Sequence, residues 1–226
     1  MQFNFISPVP DLPPLETIEN EHGRFYLSPV DGRKMPSITT VLGYFKGPEL
    51  QEWKDRVGEE EAERIKNWAG TRGQKFHDLI EMQVRGEKWW LEDISLPMRQ
   101  DLEDFRPALG RMMNVRHIEA RLHSEVMGIA GRSDYIADYD GELSVVDIKS
   151  SMWDKQEEKI TSYFEQVTGY SIMYEELTGV PIKQGVILVK SDASREAQVF
   201  KVVLDTYKDS LLEKIETYKK ENSHVL

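Results

Sequence analysis

The chain has 226 residues, no cysteine, and 40 acidic against 29 basic side chains, which gives a formal net charge of −11. Without cysteine it cannot form disulfides, use a thiolate nucleophile, or hold zinc or iron–sulfur clusters through thiolates. Hydrophobic residues make up 39% of the chain and charged residues 31%, which is typical of a soluble globular protein. No apolar run approaches the roughly 20 residues that span a bilayer.

Charge and the N-terminal sequence bear on location and partners. The first residues lack the basic start and apolar stretch of a secretory signal, so we expect an intracellular, cytoplasmic protein with no membrane partner. The negative charge argues against a protein that coats nucleic acid non-specifically, because such affinity comes from neutralising phosphates. It still permits an enzyme that holds nucleic acid in one local basic channel and keeps its carboxylates for a divalent metal ion.

The first half of the chain is predicted to be mainly helical after an irregular start. Four prolines in the first twenty residues indicate an irregular arm, and a short hairpin with Asp31 and Gly32 in its turn is expected to follow. Ser37 is in position to cap the first helix. The glycines within residues 70–73 interrupt the longest helical pattern, so we expect a turn between two helices there. The predicted helices cover about residues 38–45, 50–57, 59–69, 74–85 and 97–113.

The second half combines strands with helices. Residues 139–142, Tyr-Asp-Gly-Glu, form a predicted hairpin turn, and Asp205 is expected to cap a final helix that reaches about residue 221. The predicted strands cover residues 115–126, 130–138, 143–148, 185–190 and 197–204, with a long helix over 154–177. This order predicts an α/β fold, mixed α+β, with a central mixed sheet flanked by helices. We expect one domain over residues 1–226, with a mainly helical part (1–113) and an αβ core (114–226).

Residues 145–149, Val-Val-Asp-Ile-Lys, carry the clearest chemical signal in the sequence. Side chains alternate along a strand, so Asp147 and Lys149 share one face, and their apolar neighbours suggest a strand covered on both sides. The turn at 139–142 brings Asp134 of the preceding strand next to Asp147. Two carboxylates and a lysine then converge, and hard oxygen ligands suit Mg²⁺ or Mn²⁺ better than zinc. The alternative is a buried Asp–Lys ion pair with no catalytic role.

Four other residues are ambiguous when each is taken alone. His77 lies on a predicted helix, where a histidine is most often a surface or hydrogen-bonded residue. Gln166 and Tyr170 are four residues apart and share a helix face, as in many ordinary polar stripes. Glu119, in the first strand of the second half, would by default be an exposed strand carboxylate.

Taken in chain order, these residues resemble the RecB-type branch of the PD-(D/E)XK nucleases. The matching stretches are His77, Gly-Arg-Ser-Asp at 131–134, Asp-Ile-Lys at 147–149 and Gln-Val-Thr-Gly-Tyr at 166–170. Residues 36–42 and 50–53 further resemble the mitochondrial genome maintenance exonuclease group and its phage relatives. The absence of cysteine separates the chain from branches of this family that carry an iron–sulfur cluster.

The resemblance implies a restriction-endonuclease-like core behind an N-terminal helical region, and hydrolysis of phosphodiester bonds with the help of Mg²⁺ or Mn²⁺. It implies metal ligands at His77, Asp134, Asp147 and the backbone carbonyl of Ile148. Glu119 would be a second-tier ligand of the metal or of a water molecule.

The resemblance also implies which side chains take part in the reaction. Lys149 would orient the attacking water or stabilise charge that develops on the phosphate. Gln166 and Tyr170 would lie beside the scissile strand, where they can position Lys149 or a phosphate. Together with Asp134 and Asp147, these are the expected catalytic residues.

A nucleic acid substrate needs basic and aromatic side chains along its path. Four cations close to the motifs in sequence are candidate phosphate contacts, namely Arg72, Lys75, Arg132 and Lys155. Trp68 and Trp153 are candidates for stacking on bases, although large aromatic residues more often pack in a core or a lid.

The function expected from these features is an exonuclease that digests DNA from single-stranded ends. It would act in a bacterial or phage-infected cell, with replication or recombination proteins as partners. Three alternatives stay open: a ring-forming exonuclease that acts at double-strand ends, a catalytically silent DNA-binding module of the same fold, and an unrelated acidic interaction protein that binds no metal. The sequence holds no Walker-type phosphate loop, so an ATPase motor is not supported.

Overall fold

The structure, a computed structural model, describes residues 2–226, apart from the side chains of residues 48 and 49. Its elements in chain order are β1 (Thr17–Asn20), β2 (Gly23–Leu27), β3 (Lys34–Pro36), α1 (Ile38–Tyr44), α2 (Gly47–Val57), α3 (Glu59–Val84), α4 (Leu96–Leu109), β4 (Met112–Ser124), β5 (Ile129–Tyr139), β6 (Glu142–Ser151), α5 (Thr161–Thr178), β7 (Gln184–Ser191), β8 (Gln198–Val203) and α6 (Lys208–Glu221). None of the helices in this described range is both long and apolar enough to cross a bilayer.

A five-stranded sheet forms the centre, in the order β4-β5-β6-β7-β8. β6 and β7 run parallel and the other neighbouring pairs run antiparallel, so the sheet is mixed. One face packs against α1, α5 and α6, and the other packs against α3 and α4. The predicted fold class is confirmed, and the architecture is consistent with a restriction-endonuclease-like core.

Side chains alternate along β6, and this alternation determines which of the two helical layers Asp147 and Lys149 face. Val145 packs in the core under α5, whereas Val146 and Ile148 pack in the core under α3 and α4. Because successive side chains of a strand point to opposite faces, Asp147 and Lys149 lie on the α5 side. The apolar residues on both faces fix this register, since a slip by one residue would bury the charges in the other core.

A second, three-stranded antiparallel sheet joins β1, β2 and β3. The hairpin between β2 and β3 confirms the predicted one, with Gly32 at a φ of 74° in its turn. The prediction of an irregular arm was incomplete, because Thr17–Asn20 pairs with β2 in full register. Ser37 then caps α1 as predicted, accepting a hydrogen bond of 3.0 Å from the backbone N–H of Thr40.

α3 is a single helix of 26 residues, so the predicted turn at residues 70–73 was wrong. Gly73 serves a close approach instead, because a Cβ there would lie 3.1 Å from Ser150 Oγ at the end of β6. The helix continues through both glycines because its later turns are fixed by packing, with Phe76 and Leu79 buried in the core. Tertiary packing of this kind routinely overrides a local propensity.

Gly70→Ala is expected to raise the free energy of unfolding by roughly 0.5–1 kcal/mol, the difference between alanine and glycine inside a helix. A Cβ at Gly70 would meet no atom within 4 Å, so no clash offsets the gain. Urea denaturation of the variant and the parent measures the change. Gly73→Ala is the matched comparison, where the contact with Ser150 should reduce the gain. A loss of stability in Gly70→Ala would contradict a continuous helix.

The start of α5 also differs from the prediction. The helix begins at Thr161 rather than at residue 154, and a single 3₁₀ turn over Glu157–Lys159 precedes it. The segment before that turn is tied to β8, because the Gln198 side chain bonds both the N–H of Lys155 at 2.7 Å and its carbonyl at 2.9 Å. Lys155 and the lysine at 159 therefore do not belong to the helix that carries Gln166.

Two other predicted boundaries shift by a few residues. α4 ends at Leu109, with Gly110 as its C-cap, rather than at residue 113. β4 begins at Met112 rather than at residue 115. Asp205 does not cap the final helix, because it lies in the 3₁₀ turn Leu204–Tyr207 that precedes α6.

Candidate active site

One cavity of about 300 Å³ lies where β4, β5 and β6 meet α3 and α5. Eight residues singled out from the sequence line it: His77, Glu119, Arg132, Asp134, Asp147, Lys149, Gln166 and Tyr170. They come from five different elements, so the fold itself gathers them at one place.

Asp134 and Asp147 face each other where the pairing between β5 and β6 stops. The last paired residues are Tyr135 and Val146, so the next residue of each strand is one of the two aspartates. Instead of a ladder bond, the backbone N–H of Ile148 donates to Asp134 Oδ2 at 2.8 Å. Because the N–H and C=O of a strand residue point to the same side, the Ile148 carbonyl also faces this gap.

Glu119 extends the row onto β4. Ala120 pairs with Ser133, which places Glu119 opposite Asp134. Its φ of 53° lies in the left-handed region that a non-glycine residue seldom adopts, and strained positions of this kind cluster at functional sites. The Arg132 Nε lies 2.6 Å from Glu119 Oε2. Three carboxylates thus form one row across three neighbouring strands.

Lys149 is held at the end of this row by a small hydrogen-bond network. Its Nζ lies 2.7 Å from Asp147 Oδ2 and donates to Gln166 Oε1 at 3.3 Å. The Gln166 amide in turn donates to Asp147 Oδ1 and to the Tyr170 hydroxyl, each at 3.1 Å. The Tyr163 ring lies 5.3 Å from the ammonium. These contacts leave the ammonium little freedom to turn away.

Burial and repulsion from Asp134 raise the pKa values of Asp147 and Glu119. Burial is the largest cause for Asp147, and repulsion from Asp134 adds to it, so that its pKa rises to about 6 against the opposing pull of Lys149. Burial and Asp134 likewise raise the pKa of Glu119 to about 7, although Arg132 lowers it. Burial lowers the pKa of Lys149, but the two aspartates outweigh it, and the pKa ends above its usual value.

His77 approaches the row from α3. Its Nδ1 lies 3.5 Å from Asp134 Oδ2, one helical turn beyond Gly73, which lets α3 come close to β6. Gly131 opens the other side, because a Cβ there would lie 2.6 Å from the Tyr170 ring. The two glycines flanking the motif residues therefore make room for the site.

The donor set suits a hard divalent cation. Carboxylate oxygens and one imidazole are ligands that Mg²⁺ and Mn²⁺ accept. Asp147 Oδ2 is buried and receives no hydrogen bond of regular geometry within the described chain. A cation would also relieve the repulsion that helps to raise the pKa values of Asp147 and Glu119. Over residues 2–226, no three His, Asp or Glu side chains already form a metal-binding group, so the ligands would have to turn toward the ion.

Arg72, predicted as a phosphate contact, does not line this cavity. Its guanidinium pairs with Asp101 Oδ2 at 2.7 Å and with Asp192. It also lies 5.7 Å from the centre of the Trp68 ring. These contacts tie α3 to α4 and to the end of β7, which is a structural role.

Two further predicted phosphate contacts lie outside the cavity as well. Lys75 pairs with Glu92 at 3.1 Å, and the backbone of Lys155 is bound by Gln198. Of the four cations chosen from sequence, Arg132 alone lines the cavity among the described residues.

The small sheet supplies lining residues that sequence reasoning missed. Arg24 and Tyr26 of β2 and Thr39 of α1 line the cavity. Burial raises the pKa of the Tyr26 hydroxyl, while Arg24 and Arg132 oppose it, so cations flank the ring. Arg24 and Tyr26 are two residues apart on a strand and share a face, but no sequence pattern predicts that this face lies over the motifs.

Comparisons with known proteins give partial matches to curated sequences. No protein-family model matches the chain. A mouse protein (Mus musculus) named mitochondrial genome maintenance exonuclease 1 is 25% identical over 131 residues, which is 54% of this chain and 39% of the relative. Its human counterpart (Homo sapiens), of the same name, is 27% identical over 154 residues, 63% of this chain and 44% of the relative.

The extent of these matches is limited. The chain spans less than half the length of the curated relatives that it matches. Among solved structures, one described as "Crystal structure of SSO0001" aligns with a TM-score of 0.48 and 13% identity, over 86% of this chain and 79% of that one.

Proposed function

We propose that this chain is a divalent-metal-dependent DNA exonuclease that digests single-stranded ends. The observation that carries the proposal is the row of Glu119, Asp134 and Asp147 across three strands, with Lys149 fixed at its end and open to one cavity. Buried acids that repel one another are costly, and such clusters occur where charge is needed for chemistry. The named activity of the two relatives supports the same class of enzyme.

Lys149 has the most direct role in this proposal. Hydrolysis adds water across a phosphorus–oxygen bond and leaves a phosphate on one product and a hydroxyl on the other. Negative charge grows on the phosphate as the water attacks, and a fixed ammonium stabilises it without reorganising. Asp147 and Gln166 hold the ammonium in place, and Tyr170 holds Gln166. Gln166 and Tyr170 therefore act as positioning residues.

The metal would be Mg²⁺ or Mn²⁺, held by His77, Asp134, Asp147 and the Ile148 carbonyl, with Glu119 as a second-tier ligand. When bound, such an ion polarises phosphate oxygens and lowers the pKa of a coordinated water.

Substrate size and charge support a single strand. A cavity of about 300 Å³ is at the small end of ligand sites, and it would not admit a duplex. Arg24 and Arg132 line it and would meet the phosphates locally, although the whole chain is acidic. The cavity draws residues from both the first 113 residues and the rest, so we also propose that residues 1–226 act as one nuclease unit.

Labelled oligonucleotides test this proposal. Single- and double-stranded DNA labelled at the 5′ or the 3′ end is incubated with Mg²⁺, with Mn²⁺, or with EDTA. We expect stepwise shortening of single strands with either metal and at least a roughly hundredfold loss of rate in EDTA, because the acids then lose the ion that activates water.

The other outcomes contradict the proposal in different ways. Faster digestion of double-stranded ends would favour a ring-forming exonuclease, and internal cuts in a circular single strand would exclude a strict exonuclease. DNA binding without digestion would favour a silent module. Binding of neither metal nor DNA would favour an acidic interaction protein.

A further inference from the structure

Tyr163 is a partly buried aromatic residue that no sequence motif singles out. It lies on α5 one turn before Gln166 and two turns before Tyr170, so the three side chains share one face of the helix. The Lys149 ammonium lies 5.3 Å from the centre of its ring. Tyr163 therefore extends the stripe of Gln166 and Tyr170 by one turn, on the side where Lys149 ends the row of acids.

The same ring meets a second ammonium group. Lys46, in the short link between α1 and α2, has its Nζ 5.2 Å from the centre of the Tyr163 ring. The Nζ atoms of Lys46 and Lys149 are therefore no farther apart than the sum of the two distances, which a strand of a few nucleotides can span. The negative face of an aromatic ring attracts cations, so Tyr163 holds both lysines at one place.

Two helices lead from the cavity of the candidate active site to this ring. Thr39, in the first turn of α1, lines that cavity, and Lys46 follows the other end of the same helix. On α5, Gln166 lines the cavity and Tyr163 lies one turn earlier. Lys149 lines the cavity and also contacts the ring. A strand that leaves the cavity past Lys149 therefore meets Tyr163 and Lys46.

The charges around the ring favour an anion. Burial is the largest cause that raises the pKa of the Tyr163 hydroxyl, and Asp147 is the only described acid that adds to it, while Lys149 lowers it. Asp147 is itself paired with Lys149 at 2.7 Å. No other described carboxylate acts on the ring, so a phosphate beside it would meet two ammonium groups.

Lys46 is the more accessible cation at the end of α1. A second lysine there, Lys214, lies 5.9 Å from the centre of the Phe45 ring, but its ammonium is bound to both oxygens of the buried Glu165 at 2.7 Å. Lys46 is exposed, and an ammonium group has three donors. It can therefore bind a phosphate oxygen and keep its contact with the ring.

We infer that Lys46 binds a backbone phosphate of the substrate strand within a few nucleotides of the phosphate that is cleaved, and that the Tyr163 ring holds Lys46 and Lys149 in place for these two phosphates. The inference rests on the proposed nuclease function and adds a binding subsite to it. A phosphodiester strand fits because it carries anions at short, regular spacing, whereas one free phosphate would occupy one ammonium group. Lys46 is then a binding residue and Tyr163 a positioning residue.

The salt dependence of DNA binding tests the role of Lys46. Fluorescence anisotropy of a labelled oligothymidylate in EDTA gives Kd between about 50 and 200 mM salt. We expect Lys46→Ala to raise Kd roughly three- to tenfold at low salt. The slope of log Kd against log salt should fall by about 0.7, the value for one phosphate contact on a single strand. Lys208→Ala, at an exposed lysine in α6, is the matched control and should keep the parent slope.

Neutral methylphosphonate linkages locate the phosphate that Lys46 binds. One linkage of the oligonucleotide is made neutral at a time, and each is measured with the parent and with Lys46→Ala. At one position we expect the neutral linkage to weaken binding by the parent severalfold and binding by Lys46→Ala less than about twofold, because the variant has already lost that contact. A lysine with a purely structural role would show no such position.

Tyr163→Phe and Tyr163→Leu test the ring. The described residues give the Tyr163 hydroxyl no hydrogen bond, so phenylalanine should bind and digest DNA like the parent. Leucine removes the ring face that attracts cations. We expect it to reduce the salt slope as Lys46→Ala does and also to lower kcat at least roughly fivefold, because Lys149 is held less firmly. Lys46→Ala should raise KM and keep kcat within about twofold. Urea midpoints on the same preparations report folding.

The possible failures can be told apart. A parent-like salt slope in Lys46→Ala would mean that this lysine only ties α1 to α5. Equal coupling at every methylphosphonate position would indicate a general effect of charge, and a Tyr163→Phe variant as impaired as Tyr163→Leu would refute the positioning role of the ring. Each of these results overturns the subsite, while digestion by the parent leaves the nuclease proposal intact. A parent that binds no DNA would overturn both.

Discussion

Lys149→Ala is expected to lower the rate of DNA digestion by roughly 100- to 1,000-fold, the range found when one group that stabilises transition-state charge is removed. The ammonium is the cation closest to Asp147, at 2.7 Å, and Gln166 fixes its direction. Removing it also leaves Asp147 buried without its counter-charge, so the variant is expected to be less stable. Loss of rate in this variant alone would not separate chemistry from folding.

Asp134→Asn makes that separation. An asparagine oxygen can still accept the hydrogen bond that Ile148 N–H now gives to Asp134 Oδ2 at 2.8 Å, so the backbone contact is kept. The negative charge needed to hold a cation is lost. We expect a fall in rate at least as large as for Lys149→Ala, with a midpoint of urea unfolding close to that of the parent.

The measurement is kcat/KM on a labelled single strand, with the urea midpoint measured on the same preparations. Lys208→Ala and Asp205→Asn are the matched controls, because both residues are exposed near the start of α6, outside the cavity. Parent-like rates in Lys149→Ala and Asp134→Asn would mean that another site, or a contaminant, digests the DNA.

The part of the site that could be predicted from sequence depends on local geometry. A hairpin turn at residues 139–142 fixes which residues of β5 and β6 face each other, so Asp134 and Asp147 could be paired by counting. Their common face with Lys149 follows from the alternation of a strand. The hairpin register and the strand alternation could be predicted because few residues separate the positions involved, so the chain between them can adopt few conformations.

The part that could not be predicted depends on long-range packing. Glu119 adopts a left-handed φ that no residue in its own strand predicts, so the residues alone suggested an exposed strand carboxylate, and only the family resemblance placed it near the metal ligands. Gly73 was predicted to lie in a turn because glycine is a poor helix former. In the structure it is part of α3, and its missing side chain allows the helix to approach Ser150. Arg24 reaches the cavity only because a separate sheet packs there. Each depends on a neighbour distant in sequence.

Arg72 shows the same limit for charged residues. Its closeness in sequence to His77 suggested a phosphate contact, but its position on α3 directs it to Asp101 and Asp192. Closeness in sequence does not show which side of a helix a residue faces. It therefore could not separate a contact with the substrate from an ion pair with a neighbouring element.

Asp101→Ala is expected to lower the free energy of unfolding by about 3 kcal/mol, as is typical when one partner of a buried ion pair is removed. Asp101 accepts from Arg72 at 2.7 Å and lies 3.2 Å from the Lys190 ammonium, and the Lys190 side chain is only 4% exposed. Backbone carbonyls of Ser191 and Ser194 still bind that ammonium, but they carry no full charge. The expected fall in the free energy of unfolding therefore comes from leaving the buried Lys190 ammonium without a carboxylate partner.

Urea denaturation gives the change, and Asp104→Ala is the matched control on the same helix. Among the described residues, Asp104 accepts only a surface hydrogen bond from Gln100 in the preceding turn, so its loss should cost no more than about 0.5 kcal/mol. Arg72→Ala should also destabilise, by less than Asp101→Ala, because Lys190 still faces Asp101. If Arg72 instead contacts phosphate, its removal will weaken DNA binding and leave unfolding unchanged. That reversed pattern, together with a stable Asp101→Ala, would contradict a structural role for this network.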